Sequence, residues 1–310
     1  MTSYISRRVL ETAVTALGVV TVVFFLIRLS GDPVLLMVPL GTSQAEVDIL
    51  RSSLGFDQPV FVQYLTYLRD IVTGSFQESL IFGVSSMDIV MERVPSTALL
   101  AFTSLIVSVV VGCLLGLIAA LKRGKAADTS VLVASSVGQA MPSFWVGILL
   151  ILVFSVSLSW FPPVGSGSVA HLVLPTVTLA IYSIASIARM FRSSLLAAMS
   201  QDYVRTAVSK GLSRSRVLGR HIIPNALLPV ITIVGLQAGT LLGGAIVTEV
   251  VFAWPGVGQL TVTSINNRDF PLVQSSVLFI AVAFVLINLL TDLFYALADP
   301  RIRLSSKGSV

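Results

Sequence analysis

Cysteine and histidine, the residues that most often build metal centres and nucleophilic sites, occur three times in this chain, as Cys113, His171 and His221. One thiol and two imidazoles supply neither an intrachain disulfide nor a Cys/His metal cluster. The single Gly-Lys pair, Gly124-Lys125, is followed by Ala126 and lacks the upstream glycine of a phosphate-binding loop, so ATP is not hydrolysed by this chain. Nor does the sequence hold a Gly-x-Ser-x-Gly elbow, a His-Glu-x-x-His pair or a paired-carboxylate arrangement. The expectation is a protein with no catalytic residues, no metal and no cofactor of its own.

Charged residues inside apolar stretches are the remaining candidates, because a bilayer tolerates few of them. They are Glu11, Arg189, Arg192, Glu249 and Asp292. All but Asp292 fall near the ends of their stretches, where a side chain can snorkel or pair, so a structural role is expected. A proton-coupled carrier would bury carboxylates near mid-membrane. This scarcity argues against ion-coupled transport.

The elements that position these residues must be membrane spans. Of the 310 residues, 55% are hydrophobic and 11% charged, and the mean hydropathy is +0.93; a soluble fold of this size could not hide so much apolar surface. Six apolar stretches, 9–29, 97–121, 129–158, 172–199, 226–251 and 272–298, can cross a hydrocarbon core of ~30 Å as helices of about 20 residues. Lipid offers no hydrogen bonds, so each is expected to be helical, with kinks or breaks at Pro142, Pro175 and Pro229. The first is too long for a signal-peptide core, and Arg28-Leu-Ser-Gly-Asp-Pro33 is a poor cleavage site, so it reads as a signal anchor and first span.

Lysine and arginine concentrate in alternate connections and termini: Arg7 and Arg8, Lys122 to Lys125, Arg205 to Arg220, and Arg301 to Lys307. The other connections hold mainly Arg51, Arg69, Arg93 and Arg268. Both termini are therefore expected in the cytoplasm. The net charge of +5 is this bias and not a nucleic-acid surface. The expected fold class is an all-α integral membrane protein of about six transmembrane helices, a single domain over 1–310, with a long extracytoplasmic loop over 30–96.

Within that loop, 44–54 and 60–71 read as short amphipathic helices; Val60, Tyr64, Tyr67, Leu68 and Ile71 suit either the membrane interface or packing on the span tops. The outward connections 159–170 and 252–271 are Pro/Gly-rich, with Trp160 and Trp254 as expected interface anchors. The fifth stretch carries Gly235, Ala238, Gly239, Gly243, Gly244 and Ala245, a face that permits close helix contact, a pore wall or a subunit interface. The inward connection 200–224 is polar and basic yet keeps helix formers on both sides of Gly211. It reads as two short helices broken at that glycine and projecting into the cytoplasm, or as a basic segment lying on anionic lipid.

That segment, with the rest of the chain, resembles the inner-membrane permeases of ATP-binding-cassette importers of the dipeptide, oligopeptide and nickel type. The family signature is Glu-Ala-Ala, three residues, Gly, nine residues, Ile-x-Leu-Pro; Ala207, Gly211 and Pro224 keep their places in it, while Arg205, Thr206, His221 and Ile223 depart from it. Gly31-Asp-Pro33, Leu54-Gly-Phe-Asp-Gln-Pro59, Arg93-Val-Pro95, Met141-Pro-Ser-Phe-Trp145, Asp202-Tyr-Val-Arg-Thr-Ala207, Asn225-Ala-Leu-Leu-Pro229, Trp254-Pro-Gly256 and Asp299-Pro-Arg-Ile-Arg303 follow the peptide-type branch in order. The resemblance implies a second homologous permease, two ATPase subunits that carry ATP and Mg, and an extracytoplasmic substrate-binding protein, with a lipid bilayer around the spans. It also implies that Arg205, Ala207, Lys210, Gly211, Leu212, Arg214 and Pro224 couple the chain to the ATPase, and that the cargo is a di- or oligopeptide, nickel, glutathione or a related solute. A stand-alone secondary transporter is the alternative; it would need charged sites at mid-membrane or paired broken helices.

Overall fold

The structure is a computed structural model that describes residues 2–29, 34–35, 38, 41–53 and 55–298. Its helices are α1 (Thr2–Leu29), α2 (Gln44–Ser53), α3 (Val60–Thr73), α4 (Ser86–Leu121), α5 (Ala126–Ala140), α6 (Ser143–Leu150), α7 (Val169–Met199), α8 (Asp202–Ser209), α9 (Arg214–Val217), α10 (Ile223–Val251), α11 (Val257–Asn266) and α12 (Phe270–Ala298). Among the described residues the one β feature is an isolated bridge between Glu78 and Ser85. Gly31 to Pro33, the tail from Asp299 and the side chain of Asp292 lie outside the described residues.

Four helical runs are long and apolar enough to cross a bilayer: Ser86–Leu121, Val169–Met199, Arg214–Val251 and Phe270–Thr291. A further apolar pair, α5 with α6 and the π-helical turn Ile151–Ser157, is bent by 107°. The bend falls where the sequence predicts a break: Met141, ahead of Pro142, is held extended at φ −82°, ψ 130°, because the proline ring excludes the helical region for its predecessor. Pro175 and Pro229 stay inside α7 and α10. α1 contains a shorter apolar helix, Leu10–Phe25.

Three expectations change. The second span begins eleven residues earlier than its apolar stretch, at Ser86 instead of residue 97, and runs through Pro95; its 36 residues span about 54 Å, more than a bilayer core needs, so its first turns need no lipid. The connection 252–271 is also not simply a loop, for it contains α11, which buries Val257, Leu260, Thr261 and Ser264. Trp254 is correspondingly no interface anchor: it is 4% exposed and packs with Leu100, Leu179, Leu241 and Ala245. Trp160 remains exposed.

The chain divides into two compact units, one of residues 1–5, 98–254 and 287–310 and the other of residues 6–97 and 255–286. The second unit has its own cores, Val20, Phe24, Tyr67 and Leu278 in one and Ile89, Val90, Val257, Leu260 and Leu272 in the other. In it the faces of Phe24 and Tyr67 stack at 5.5 Å between centroids, so α3 is a packed helix through Tyr64 and Tyr67 while Val60, Phe61 and Leu65 stay exposed.

The first unit is held by an inverted amphipathic pattern. Along α4, Phe102, Ile106, Val110, Leu114 and Ile118 are exposed, whereas Leu100, Ser104 and Ser108 are buried at a spacing of four that continues through Gly112 and Gly116. Ser108 donates to the Ala180 carbonyl at 3.3 Å and Ser104 to that of Thr176 at 3.4 Å. A Cβ at Gly116 would stand 2.7 Å from the Ala188 carbonyl and one at Gly112 2.8 Å from Ile187, so α4 and α7 approach more closely than side chains allow. On α10, Gly235 meets Thr291 of α12, while Gly243 faces open space; the small-residue stripe there is only partly spent on packing.

Candidate coupling segment

The segment 200–224 starts from the end of α7. After Ser200 and Gln201 the chain turns into α8, a helix of eight residues with Asp202 in its first turn, where a carboxylate favours the helix dipole. α8 ends in a Schellman motif. Lys210 is the last capping residue, Gly211 follows at φ +78°, its N–H donates to the Val208 carbonyl at 2.9 Å, and the Leu212 N–H reaches back to the Ala207 carbonyl at 3.3 Å. Left-handed backbone is what glycine adopts without a Cβ penalty, which explains the residue type at 211. The hydrophobic contact that accompanies the motif is also present, since Ala207 and Leu212 belong to the same cluster.

Beyond Leu212 the structure departs from two separate short helices. α9 passes through a π-helical turn, Leu218–Ile222, straight into α10, so Arg214–Val251 is one helical run. Pro224 is the physical reason for the widened turn: it has no N–H to give and sits in the first turn of α10, where such a residue is tolerated. The break at Gly211 therefore joins one short helix to the base of a span.

Of the sequence-predicted residues, Ala207 is buried and Leu212 half-buried, both in the hydrophobic cluster that also holds Leu195, Val217 and Ile222 of the chain's own helices. Arg205, Lys210, Gly211, Arg214 and Pro224 are exposed. Among the described residues Arg205, Lys210 and Arg214 make no ion pair. Tyr203 and Val208, which sequence reasoning did not single out, are exposed apolar side chains on the same helix; apolar residues left open beside arginine were the available signal.

Sequence reasoning also missed the joint beside this segment. Asp128, in the first turn of α5, accepts from Arg192 of α7 through Nε at 2.5 Å and Nη2 at 2.7 Å, and from the Gly124 N–H at 3.0 Å. A bidentate pair of this kind fixes direction as well as distance. Three residues earlier, Arg189 donates to Gln139 Oε1, and Gln139 donates to Ser186 Oγ at 2.7 Å. The expected structural role of Arg189 and Arg192 is thus visible as two polar ties between α5 and α7. Glu249 lies two residues from the end of α10, as expected, and is fully buried, too enclosed to snorkel. No group of three or more His, Cys, Asp or Glu able to hold a metal occurs among the described residues.

Comparison with known proteins gives this geometry its family. Residues 112–304 match the binding-protein-dependent transport system inner membrane component, and residues 1–101 match the N-terminal region of such membrane components. The chain is 39% identical to the di/tripeptide transport system permease protein DppB of Pseudomonas aeruginosa, over 98% of this chain and 99% of that one. It is 39% identical to the glutathione transport system permease protein GsiC of Escherichia coli K12, with the same coverage. It is 38% identical to the oligopeptide transport system permease protein AppB of Bacillus subtilis, over 97% and 99%. In fold it is similar to a crystal structure of an amino acid ABC transporter with histidines (TM-score 0.55, 18% identity, 67% of this chain and 94% of that one) and to the MetNI methionine ABC transporter in an inward-facing conformation (TM-score 0.55, 18% identity, 69% and 97%). The chain belongs to the inner-membrane components of binding-protein-dependent transport systems, and is a multi-pass permease subunit of an ABC importer in the bacterial cytoplasmic membrane.

Proposed function

We propose that this chain is the translocating subunit of a short-peptide importer and that 200–224 is the surface on which its ATPase partner docks. One observation carries the reading: α8 is rooted on one side and open on the other. Its inner side, through Ala207 and Leu212, is packed into the cluster that holds Ile187 and Leu195 of α7 and Ile222 and Val230 of α10. A push on the outer side therefore moves two spans together as a rigid body. Tyr203, Arg205 and Val208 of α8, with Lys210 at its end and Arg214 at the start of α9, form the open side of the segment, and Gly211 and Pro224 set its shape.

The assembly this reading requires is a second homologous permease, two ATPase subunits that bind ATP and Mg, and an extracytoplasmic binding protein that delivers cargo. This chain adds no catalytic group. Its 310 residues act as one transmembrane domain, with 30–96 the extracytoplasmic loop. Di/tripeptides, glutathione and oligopeptides are the cargoes named for its relatives, and the chemistry common to them is a short chain of amides with free carboxylate ends.

The test is ATPase activity of the purified chain, alone and with its co-purifying partners, for wild type and Gly211→Pro. Proline cannot reach φ +78° and removes the N–H given to Val208. The chain alone should be silent, the complex active, and the variant should shed the ATPase or hydrolyse ATP without uptake. Transport by the lone chain in liposomes, without ATP and following an ion gradient, would make it a secondary carrier.

A further inference from the structure

α11 has two faces. Val257 and Leu260 are buried against Ile89, Val90 and Leu272 of its own unit. Gln259, Thr263 and Asn267 recur at a spacing of four, which stacks them in a row along another side. That row borders a cavity of about 310 Å³, together with Arg93 of α4 and, from the preceding loop, Ile81 and Phe82.

Arg93 is exposed and, among the described residues, has no ion pair and no side-chain hydrogen bond. Asp269 borders the same cavity but is 1% exposed, and its carboxylate already takes the Ser79 hydroxyl and the N–H groups of Leu80 and Leu272, each of the latter at 3.3 Å. The open charge in the cavity is therefore the guanidinium. A guanidinium presents parallel N–H donors that match a carboxylate.

We propose that this cavity receives the C-terminal end of a short peptide. Arg93 forks the terminal carboxylate, the side chains of Thr263 and Asn267 pair with the peptide's N–H and C=O groups, and Ile81 and Phe82 offer an apolar wall to its last side chain. The volume lies at the small end of ligand sites, enough for one end of such a cargo. This subsite rests on the short-peptide reading above.

The experiment measures equilibrium binding of labelled Ala-Phe and of its C-terminal amide to the whole complex in nanodiscs, without binding protein, for wild type, Arg93→Gln and Arg93→Lys. Wild type should prefer the free acid by about tenfold, the loss expected when a charge-assisted pair goes unmade. Arg93→Gln should bring both peptides to the same weak level, and Arg93→Lys, which restores charge without the fork, should recover part of the preference. The preference is a ratio within each variant, so a smaller folded fraction cancels. A wild type without preference, or an Arg93→Gln complex that keeps it, overturns the subsite. ATP-driven uptake of Ala-Phe by the wild-type complex, supplied with its binding protein in liposomes, separates the two levels: no uptake sinks the peptide reading itself, while uptake with no free-acid preference sinks the subsite alone.

Discussion

The cations near the end of α7 in the first unit fall into two kinds. Arg192 is committed: its side chain is 20% exposed and grips Asp128, which is 6% exposed, through two bonds. Arg205, Lys210 and Arg214 stand in solvent without an ion pair among the described residues. Residues of one chemical type thus do opposite work, Arg192 tying α7 to α5 inside the subunit and the others facing outward from a helix whose own interior is apolar. A cation that is paired and half-buried belongs to the fold, whereas several left unpaired on a rigid projection are available to a partner.

Breaking the rooted side should cost most. Asp128→Asn keeps the shape and removes the charge that Arg192 and the Gly124 N–H point at; leaving a half-buried guanidinium without its carboxylate should lower the melting temperature of the purified subunit by about 10 °C, read by intrinsic fluorescence. Survival of the wild-type melting temperature would mean that the pair contributes nothing to the fold. Gly116→Val tests the same side through packing. Its Cβ would meet the Ala188 carbonyl at 2.7 Å and Phe191 Cβ at 3.1 Å, so a loss of about 5 °C is expected from overpacking. Gly243→Ala, with open space around it, is the control that should change little.

The contrast between these positions also marks what the sequence makes legible. Apolar stretches of about 20 residues announce the spans, and a proline after a helical run announces the break at Met141, because both rest on local rules. The α4 stripe of Ser104, Ser108, Gly112 and Gly116 obeys a local spacing too, but which glycines of a small-residue stripe meet another helix is decided by the partner: Gly112 and Gly116 are pressed onto α7 and Gly235 onto α12, whereas Gly243 faces open space. Asp128 was invisible for a related reason, since nothing in its neighbourhood distinguishes a carboxylate that caps a turn from one aimed at an arginine sixty-four positions away. Trp254 misleads because an indole beside Pro-Gly looks the same whether it faces headgroups or a core. For the coupling segment, local signals revealed the helix, the glycine and the exposed cations; what they withheld was that Ala207 and Leu212 turn inward.

Gly211 lies at the join of the rooted and open sides and should show an intermediate effect. Nothing surrounds the position within 4 Å, so Gly211→Ala is strained only by φ +78°. A loss of about 3 °C is expected from that penalty, with α8 less firmly fixed and ATPase coupling reduced but not abolished. A drop as large as that of Asp128→Asn would place Gly211 with the interior and remove the distinction.

The smallest effect on stability should accompany the largest effect on assembly. Arg205→Glu with Arg214→Glu alters two exposed side chains that have no ion pair among the described residues, so the melting temperature should move by less than about 2 °C. The same double variant turns the open side of the segment 200–224 from positive to mixed charge, and a partner shaped to meet cations would then face like charge at the points of contact. Co-purification of the ATPase subunits should fall at low salt and the salt dependence of the remaining binding should flatten, because the steering charges are gone while the apolar Tyr203 and Val208 are untouched. Retention of the ATPase at wild-type level would leave the exposed cations with a different task, contact with anionic lipid headgroups, and vesicles with and without phosphatidylserine would then separate the double variant from wild type where the ATPase did not.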